Sequence, residues 1–98
     1  MLPSQILHQR RAEVLAIMTR YPNLANLRVI GSVARGEDTE GSDIDFIVDP
    51  IHEATLFDVG GLHEDLEELL GVQVHITTTG EHLRTSFKEA IARDAVSV

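Results

Sequence analysis

One alternating segment, residues 43–48, constrains the fold of this chain more than any other stretch. It reads DIDFIV, so acidic and apolar side chains alternate up to Phe46. Side chains on a β-strand point in turn to its two faces, and the pattern therefore predicts a strand that buries Ile44 and Phe46. Asp43 and Asp45 then share the other face, about 6–7 Å apart at their Cα atoms. Carboxylates this close repel each other without a cation between them, so the pair predicts a divalent-cation site.

A second feature lies upstream, where an apolar run, residues 27–30, ends at Gly31-Ser32. Ten residues rich in Gly, Asp, Glu, Thr and Ser then lead to the acid pair. Glycine lets a phosphate approach the backbone closely, and serine offers a hydroxyl and an N–H. A phosphate site beside a cation site indicates nucleotide chemistry. Both features also have a purely structural explanation. Gly31-Ser32 is then a plain turn with Ser32 as a helix N-cap, and Asp43 and Asp45 are two acids on a solvent-facing strand.

The complete pattern, Gly31-Ser32, ten residues and Asp43-x-Asp45, resembles the signature of the DNA polymerase β-type nucleotidyltransferase superfamily. The tighter form G-S-x-A-R-G followed by S-D-x-D, in a chain of 98 residues, is similar to the minimal nucleotidyltransferase (MNT) group. The resemblance implies an α/β (α+β) fold, a small mixed sheet with helices packed on it. Proteins of this group are commonly paired, as antitoxins, with a HEPN-domain toxin.

The resemblance also implies a set of site residues. By this resemblance, Asp43 and Asp45 are the catalytic metal ligands, holding Mg²⁺ or Mn²⁺ against the triphosphate of ATP or another nucleoside triphosphate. The nucleotide-binding candidates are Gly31, Ser32, Arg35 and Ser42. The residues themselves leave two of these open. Arg35 either contacts phosphate or forms a salt bridge to an acid of the loop 37–40. Ser42 either binds nucleotide or orients the strand that follows it.

The chain departs from the family at His75, our third candidate catalytic residue. The family usually has a third carboxylate on this strand, in a pattern like V-D-L-V-T, whereas residues 74–78 read VHITT. A neutral imidazole can act as a general base near neutral pH. It is a poorer ligand than a carboxylate for Mg²⁺, but suits Mn²⁺ or Zn²⁺. The alternative is a surface strand residue without a role. If His75 fills the slot, nucleotide and metal binding should survive better than turnover.

Charge and composition restrict the partners. Sixteen acidic residues against eight basic ones give a net charge of −8. Nucleic-acid binding by the domain alone is not expected, because it requires clustered Lys and Arg. A basic protein partner and divalent cations fit the charge. The chain has no cysteine and no apolar run near the roughly 18 residues of a membrane span, so we expect a cytoplasmic protein that does not contact membranes.

The hydrophobic periodicity predicts a single domain over residues 1–98 with the order helix, strand, strand, helix, strand, helix. Ser4 is the predicted N-cap of a first helix that continues to Arg20. The later elements are predicted at residues 24–30, 43–48, 55 or 57 to 70, 72–76 and 81–93. Residues 95–98 are either a short strand or a frayed tail.

Two functions follow from the resemblance. The first is an enzyme that transfers a nucleoside monophosphate, AMP from ATP, to a protein hydroxyl, with a tyrosine of a HEPN-type RNase toxin as the implied acceptor. The second is a catalytically weakened antitoxin that binds nucleotide and neutralises its toxin by forming a complex. A third, weaker hypothesis, modification of a small molecule, usually requires an additional helical domain. Homo-oligomer formation is left open.

Overall fold

The computed structural model describes residues 1–98. Its elements are α1 (Pro3–Gln9), α2 (Arg11–Met18), β1 (Leu24–Ile30), α3 (Gly31–Arg35), β2 (Ile44–Pro50), α4 (Leu56–Leu70), β3 (Val74–Thr78), α5 (Thr85–Asp94) and β4 (Val96–Ser97). The strands form one sheet in the order β3-β2-β1-β4. β1 is antiparallel to β2 and β4, whereas β2 and β3 are parallel. The predicted mixed sheet with packed helices is thereby confirmed.

The two faces of β2 are buried differently. Ile44 and Phe46 are fully buried, as predicted, in the main core beneath the helices α2 and α4. The opposite face carries the acids, but it is not open along its whole length. There Ile47 packs with Ile30 and with Ile91 of α5 in a second, smaller core. α5 therefore covers part of the acidic face of the sheet and forms a wall next to it.

The predicted first helix is wrong in two respects. The chain forms two helices, α1 and α2, which are separated at Arg10, where φ is −99° and ψ is 12°. Ser4 is not the N-cap, because Leu2 occupies that position. The backbone N–H of Ser4 instead donates to Asp38 Oδ2 at 2.8 Å, a contact across 34 residues of sequence. A local capping pattern could not anticipate that partner.

The remaining elements lie close to their predicted positions. α4 begins after Thr55, whose side chain and that of Asp58 form a capping box, and it ends at Gly71 in the left-handed conformation. β2 starts one residue later than predicted and continues through Pro50. β3 and α5 begin at Val74 and Thr85, because turn residues precede both. The C-terminal residues form a strand, β4, which pairs with β1. No helix has the length and apolar character needed to cross a membrane.

Candidate active site

Gly31 lies close to Asp45, so the Gly-Ser and Asp-x-Asp parts of the sequence pattern meet in the structure. It follows the last residue of β1, and its φ of +72° lies in the left-handed region that favours glycine. Ile30, directly before it, is paired with Asp45 across the β1–β2 ladder. A Cβ atom at position 31 would lie only 2.7 Å from Asp45 Oδ2. The absence of a side chain therefore allows a carboxylate to lie directly against the backbone at the start of α3.

His75 joins the acid pair from the neighbouring strand. It is paired with Asp45 in the parallel β2–β3 register. Its Nε2 atom lies 2.9 Å from Asp43 Oδ2, although the two residues are 32 positions apart. Both side chains are partly exposed, 54% for His75 and 40% for Asp43. His75 is thus a surface residue with a specific contact to a candidate metal ligand, and both sequence interpretations capture part of its position.

A cavity of about 340 Å³ lies between the start of α3, the acidic face of the sheet and α5. We call it the α5 cavity. Gly31, Arg35 and Asp45 line one side, and Thr77 and residues of α5 complete it. Its volume falls within the roughly 300–1,000 Å³ of small-molecule sites. Three of the predicted site residues therefore meet at one concave surface.

Arg35 forms the salt bridge that its sequence interpretation allowed, whereas its contact with phosphate stays a prediction. It lines the α5 cavity, and its Nε atom lies 3.3 Å from Glu37 Oε1. The side chains of this pair are 44% and 64% exposed. An ion pair with that much exposure contributes little free energy. The guanidinium can therefore exchange Glu37 for an anionic ligand in the cavity at low cost.

The two predicted serines, Ser32 and Ser42, lie outside the α5 cavity. Ser32 lies half-buried in the first turn of α3, next to Gly31. The Ser42 hydroxyl accepts a hydrogen bond from the backbone N–H of Thr39 at 2.8 Å and lies 3.2 Å from the Thr39 hydroxyl. Ser42 thus orders the end of the acidic loop (residues 37–41) just before the acid pair. Neither serine lines the α5 cavity, and their contact with nucleotide stays a prediction.

Asp49 shares the acidic face of β2 but belongs to a separate cluster. Its carboxylate pairs with Arg28 at 2.5 Å and accepts hydrogen bonds from Asn26 at 3.0 Å and Thr79 at 2.7 Å. Burial, the largest single influence, acts to raise the pKa of Asp49. The hydrogen bonds from Asn26 and Thr79 and the charge of Arg28 together hold that pKa below its usual value. These contacts fasten Asp49 in place, away from the acid pair.

The donor set fits a divalent cation. Asp43 and Asp45 provide carboxylate oxygens, the ligands that Mg²⁺ prefers, and the imidazole of His75 suits Mn²⁺. The structure has no group of three or more His, Cys, Asp or Glu side chains arranged to hold a metal ion. Mg²⁺ usually binds through one or two carboxylates and keeps positions for water and substrate phosphates. The two aspartates are therefore compatible with a cation that arrives together with a nucleotide.

Sequence reasoning missed the contribution of α5. Phe87, Ala90 and Asp94 line the α5 cavity with Thr77 of β3. Phe87 lies four residues before the buried Ile91, the spacing of a shared helical face, but its side chain is 37% exposed and belongs to neither core cluster. A helical pattern shows which residues share a face. It does not show which part of that face meets a cavity instead of the core.

Comparisons with known proteins identify related sequences and folds. Residues 12–98 match the family model of the nucleotidyltransferase domain. A candidate protein adenylyltransferase of Methanocaldococcus jannaschii is 29% identical over 92 residues, which cover 94% of this chain and 97% of the relative. A second protein so named from that organism is 32% identical over 73 residues, 74% of each chain.

Solved structures of other proteins also resemble this chain. A candidate minimal nucleotidyltransferase is 38% identical with a TM-score of 0.82, covering 97% of this chain and 95% of that one. A toxin–antitoxin structure with AMP-PNP matches with a TM-score of 0.72 at 17% identity, over 88% of this chain and 69% of that one. This second likeness shows the fold alone.

Proposed function

Because the chain belongs to the nucleotidyltransferase domain family, in the minimal group of the polymerase β-type superfamily, we propose that it transfers AMP from ATP to a protein hydroxyl. The observation that carries this proposal is the close approach of Gly31 to Asp45. It places a backbone suited to phosphate beside a carboxylate suited to a cation, at the edge of one cavity. A protein acceptor is supported by the relatives named as candidate protein adenylyltransferases.

The nucleotide would be held by this chain's own groups. Gly31 and Ser32 offer backbone N–H groups and a hydroxyl to the triphosphate, and Arg35 offers a guanidinium from α3. Asp43 and Asp45 would hold Mg²⁺ or Mn²⁺. When bound, such a cation neutralises phosphate charge as the α-phosphate is attacked. In the transfer, the acceptor oxygen bonds to the α-phosphorus while the bond to pyrophosphate breaks.

His75 is the candidate acceptor for the proton that the attacking hydroxyl loses. An ionised carboxylate can only accept hydrogen bonds, so we assign the 2.9 Å contact as Nε2–H of His75 donating to Asp43. This tautomer leaves Nδ1 free to take the proton. Replacing a carboxylate by a neutral ring also removes one negative charge from the site, which weakens its hold on a cation.

The partner is proposed to be a HEPN-type toxin, with this chain as its antitoxin. Support comes from the fold likeness to antitoxin-containing complexes and from the net charge of −8, which favours a basic protein. An acceptor tyrosine on that toxin would make AMP transfer the neutralising event.

A labelling experiment tests the transfer. The chain is incubated with ATP labelled at the α-phosphate, Mg²⁺ or Mn²⁺, and the protein encoded by the adjacent gene. We expect label on that protein with wild type, none with the Asp43→Ala/Asp45→Ala double variant, and none after chelation of the metal. The Glu64→Ala/Glu68→Ala double variant removes the same charge from α4 and should label normally. Equal labelling by the two double variants would refute the assigned metal ligands.

Neutralisation by complex formation is the second candidate function. Leu56 and Phe57, at the start of α4, are 89% and 91% exposed and form an adjacent apolar pair on the surface, a candidate contact for a protein partner. We propose that they anchor the basic toxin, with the acids Glu53 and Asp58 on either side. If this is the whole function, no metal ion should support labelling although the complex forms.

Two sets of variants separate the candidates. Leu56→Ser/Phe57→Ser should abolish complex formation measured by size-exclusion chromatography, whereas Leu15→Ser, which alters a partly exposed leucine of α2, should not. His75→Asp restores the family's third carboxylate and should raise transfer, by up to the roughly 100- to 10,000-fold contribution of one catalytic acid or base. Unchanged transfer by His75→Asp would contradict the assignment of His75 to the position of that carboxylate.

A further inference from the structure

We infer that the α5 cavity has a second subsite, in which the nucleobase of the bound nucleotide stacks on Phe87. The inference rests on the proposed function for its starting point. Gly31, Arg35 and Asp45 fix where the charged phosphates lie on one side of the cavity. The ribose and the base of the nucleotide must then lie along another wall of the α5 cavity.

The wall provided by α5 is apolar where it meets the cavity. Phe87, Ala90 and Ile91 line it on successive turns of the helix. α5 makes its core contacts through Ile91, which is buried with Ile30 and Ile47, and Leu83 and Ala95 pack against this cluster. Phe87 belongs to neither core cluster and remains 37% exposed. The ring is therefore not required to fill the protein's own core.

An exposed aromatic ring beside a phosphate site has a specific use. Nucleobases present a flat π-face that stacks on an aromatic side chain largely regardless of sequence. Thr77 and Asp94 add a hydroxyl and a carboxylate to the lining. A cavity of about 340 Å³ that has Gly31, Arg35 and Asp45 on one side and an aromatic ring of α5 on another matches the division of a nucleotide into triphosphate and base.

Competing occupants fit the cavity less well. An acceptor side chain from a partner would have to enter over the same residues that hold the phosphates. An apolar ligand would offer no hydrogen bond to the charged side chains of Arg35, Asp45 and Asp94 that line the cavity. A nucleotide uses both the charged and the apolar portions of the lining.

Calorimetric titration tests the subsite with two ligands, ATP and inorganic tripolyphosphate, each with Mg²⁺. Tripolyphosphate carries the charge of the nucleotide without its base. We expect Phe87→Ala to weaken ATP binding about 5- to 150-fold, the range for loss of one stacked base, and to change tripolyphosphate binding less than twofold. Phe87→Leu should behave like alanine because it lacks a π-face, and Phe87→Tyr should retain tight binding.

Leu15→Ala serves as the matched control, because Leu15 is also 37% exposed on a helix but lies on α2. It should leave both titrations unchanged. If wild type binds ATP and Phe87→Ala binds it equally well, the base subsite is wrong while the proposed function stands. Equal loss of both ligands by Phe87→Ala would also overturn the subsite, since it would indicate a structural role. Failure of wild type to bind either ligand would overturn the proposed function and the subsite with it.

Discussion

Gly31 and Gly36 both have left-handed backbone angles, φ +72° and φ +70°, but only Gly31 faces another residue closely. No atom lies within 4 Å of the position that a Cβ would take at Gly36, whereas Asp45 Oδ2 lies 2.7 Å from the position at Gly31. Substituting these two glycines therefore distinguishes two effects. A side chain at either position is strained by the left-handed backbone, but only a side chain at Gly31 would approach the acid pair.

We predict that Gly31→Ala and Gly36→Ala each destabilise the fold by about 1–2 kcal/mol through backbone strain. Gly31→Ala should cost more than Gly36→Ala and should weaken binding of ATP with Mg²⁺ at least tenfold, because the new methyl group displaces the Asp45 carboxylate. Gly36→Ala should bind normally. Urea unfolding and calorimetric titration measure the two quantities. Equal binding by both variants would show that the Gly31–Asp45 contact does not shape the site.

Asp49 predicts a dependence of stability on pH. Its pKa is lowered from 3.8 in the folded state, so the carboxylate stabilises the fold above pH 3.8, and this contribution is lost as pH falls through the folded pKa. Asp49→Asn should therefore lower the free energy of unfolding at pH 7, with a penalty that shrinks as the pH falls below 3.8. Urea unfolding across this range measures it, with Glu64→Gln as the control for losing one negative charge. A penalty that is constant with pH would contradict the ion-pair contribution.

Among the elements, α4 shows most clearly how a helix is divided between core and surface. Leu62, Leu66 and Leu70 are buried against the sheet at helical spacing. Leu56, at the N-terminal end of the same helix, is 89% exposed. The leucine spacing predicted this helix from residue 55 or 57 to residue 70, and the structure has it at Leu56–Leu70, between the N-cap Thr55 and the C-cap Gly71.

We predict that Leu66→Ala lowers the free energy of unfolding by about 2–5 kcal/mol, because it leaves a cavity in the main core. Leu56→Ala removes the same atoms from the surface and should change the stability of the isolated chain by less than about 0.5 kcal/mol. Thermal or urea unfolding of the two variants checks the comparison. Similar penalties would mean that Leu56 is covered in the free protein.

The first two helices show the limit of local patterns at this scale. α1 and α2 carry apolar residues that fit one continuous helix, yet the chain breaks at Arg10. Leu7 and Val14, on either side of the break, both reach the main core. Because the two helices must both pack on that core, the break is decided by tertiary contacts.

Across the whole molecule, the N-terminus supports the site from outside the matched family region. The family model begins at residue 12, after α1. The Asp38 carboxylate nevertheless accepts a hydrogen bond from the backbone N–H of Ser4, and this bond is the main cause of its lowered pKa. The N-terminal amino group also lies 3.5 Å from a carboxylate oxygen of Glu40. α1 therefore holds the acidic loop that joins Gly31-Ser32 to the acid pair.

We predict that Asp38→Ala increases hydrogen exchange of the backbone amides in the acidic loop, residues 37–41, because the loop loses its contact with α1. Glu37→Ala removes an acid of the same loop whose ion pair with Arg35 is exposed, and it should change exchange much less. Mass spectrometry of peptides from this region measures the effect. Comparable exchange in the two variants would mean that α1 does not restrain the loop.

The sequence by itself determined the local parts of this protein. Alternation defined the buried and acidic faces of β2, the leucine stripe defined α4, and Gly31-Ser32 with Asp43 and Asp45 indicated the superfamily, because these signals depend on residues near one another in the chain. Only the tertiary structure determined which other residues lie next to Asp43 and Asp45. The register of β2 with β3 brought His75 to Asp43, and the packing of α5 on Ile47 formed the cavity beside Gly31. Contacts of this kind depend on how separate elements pack, which no local spacing records.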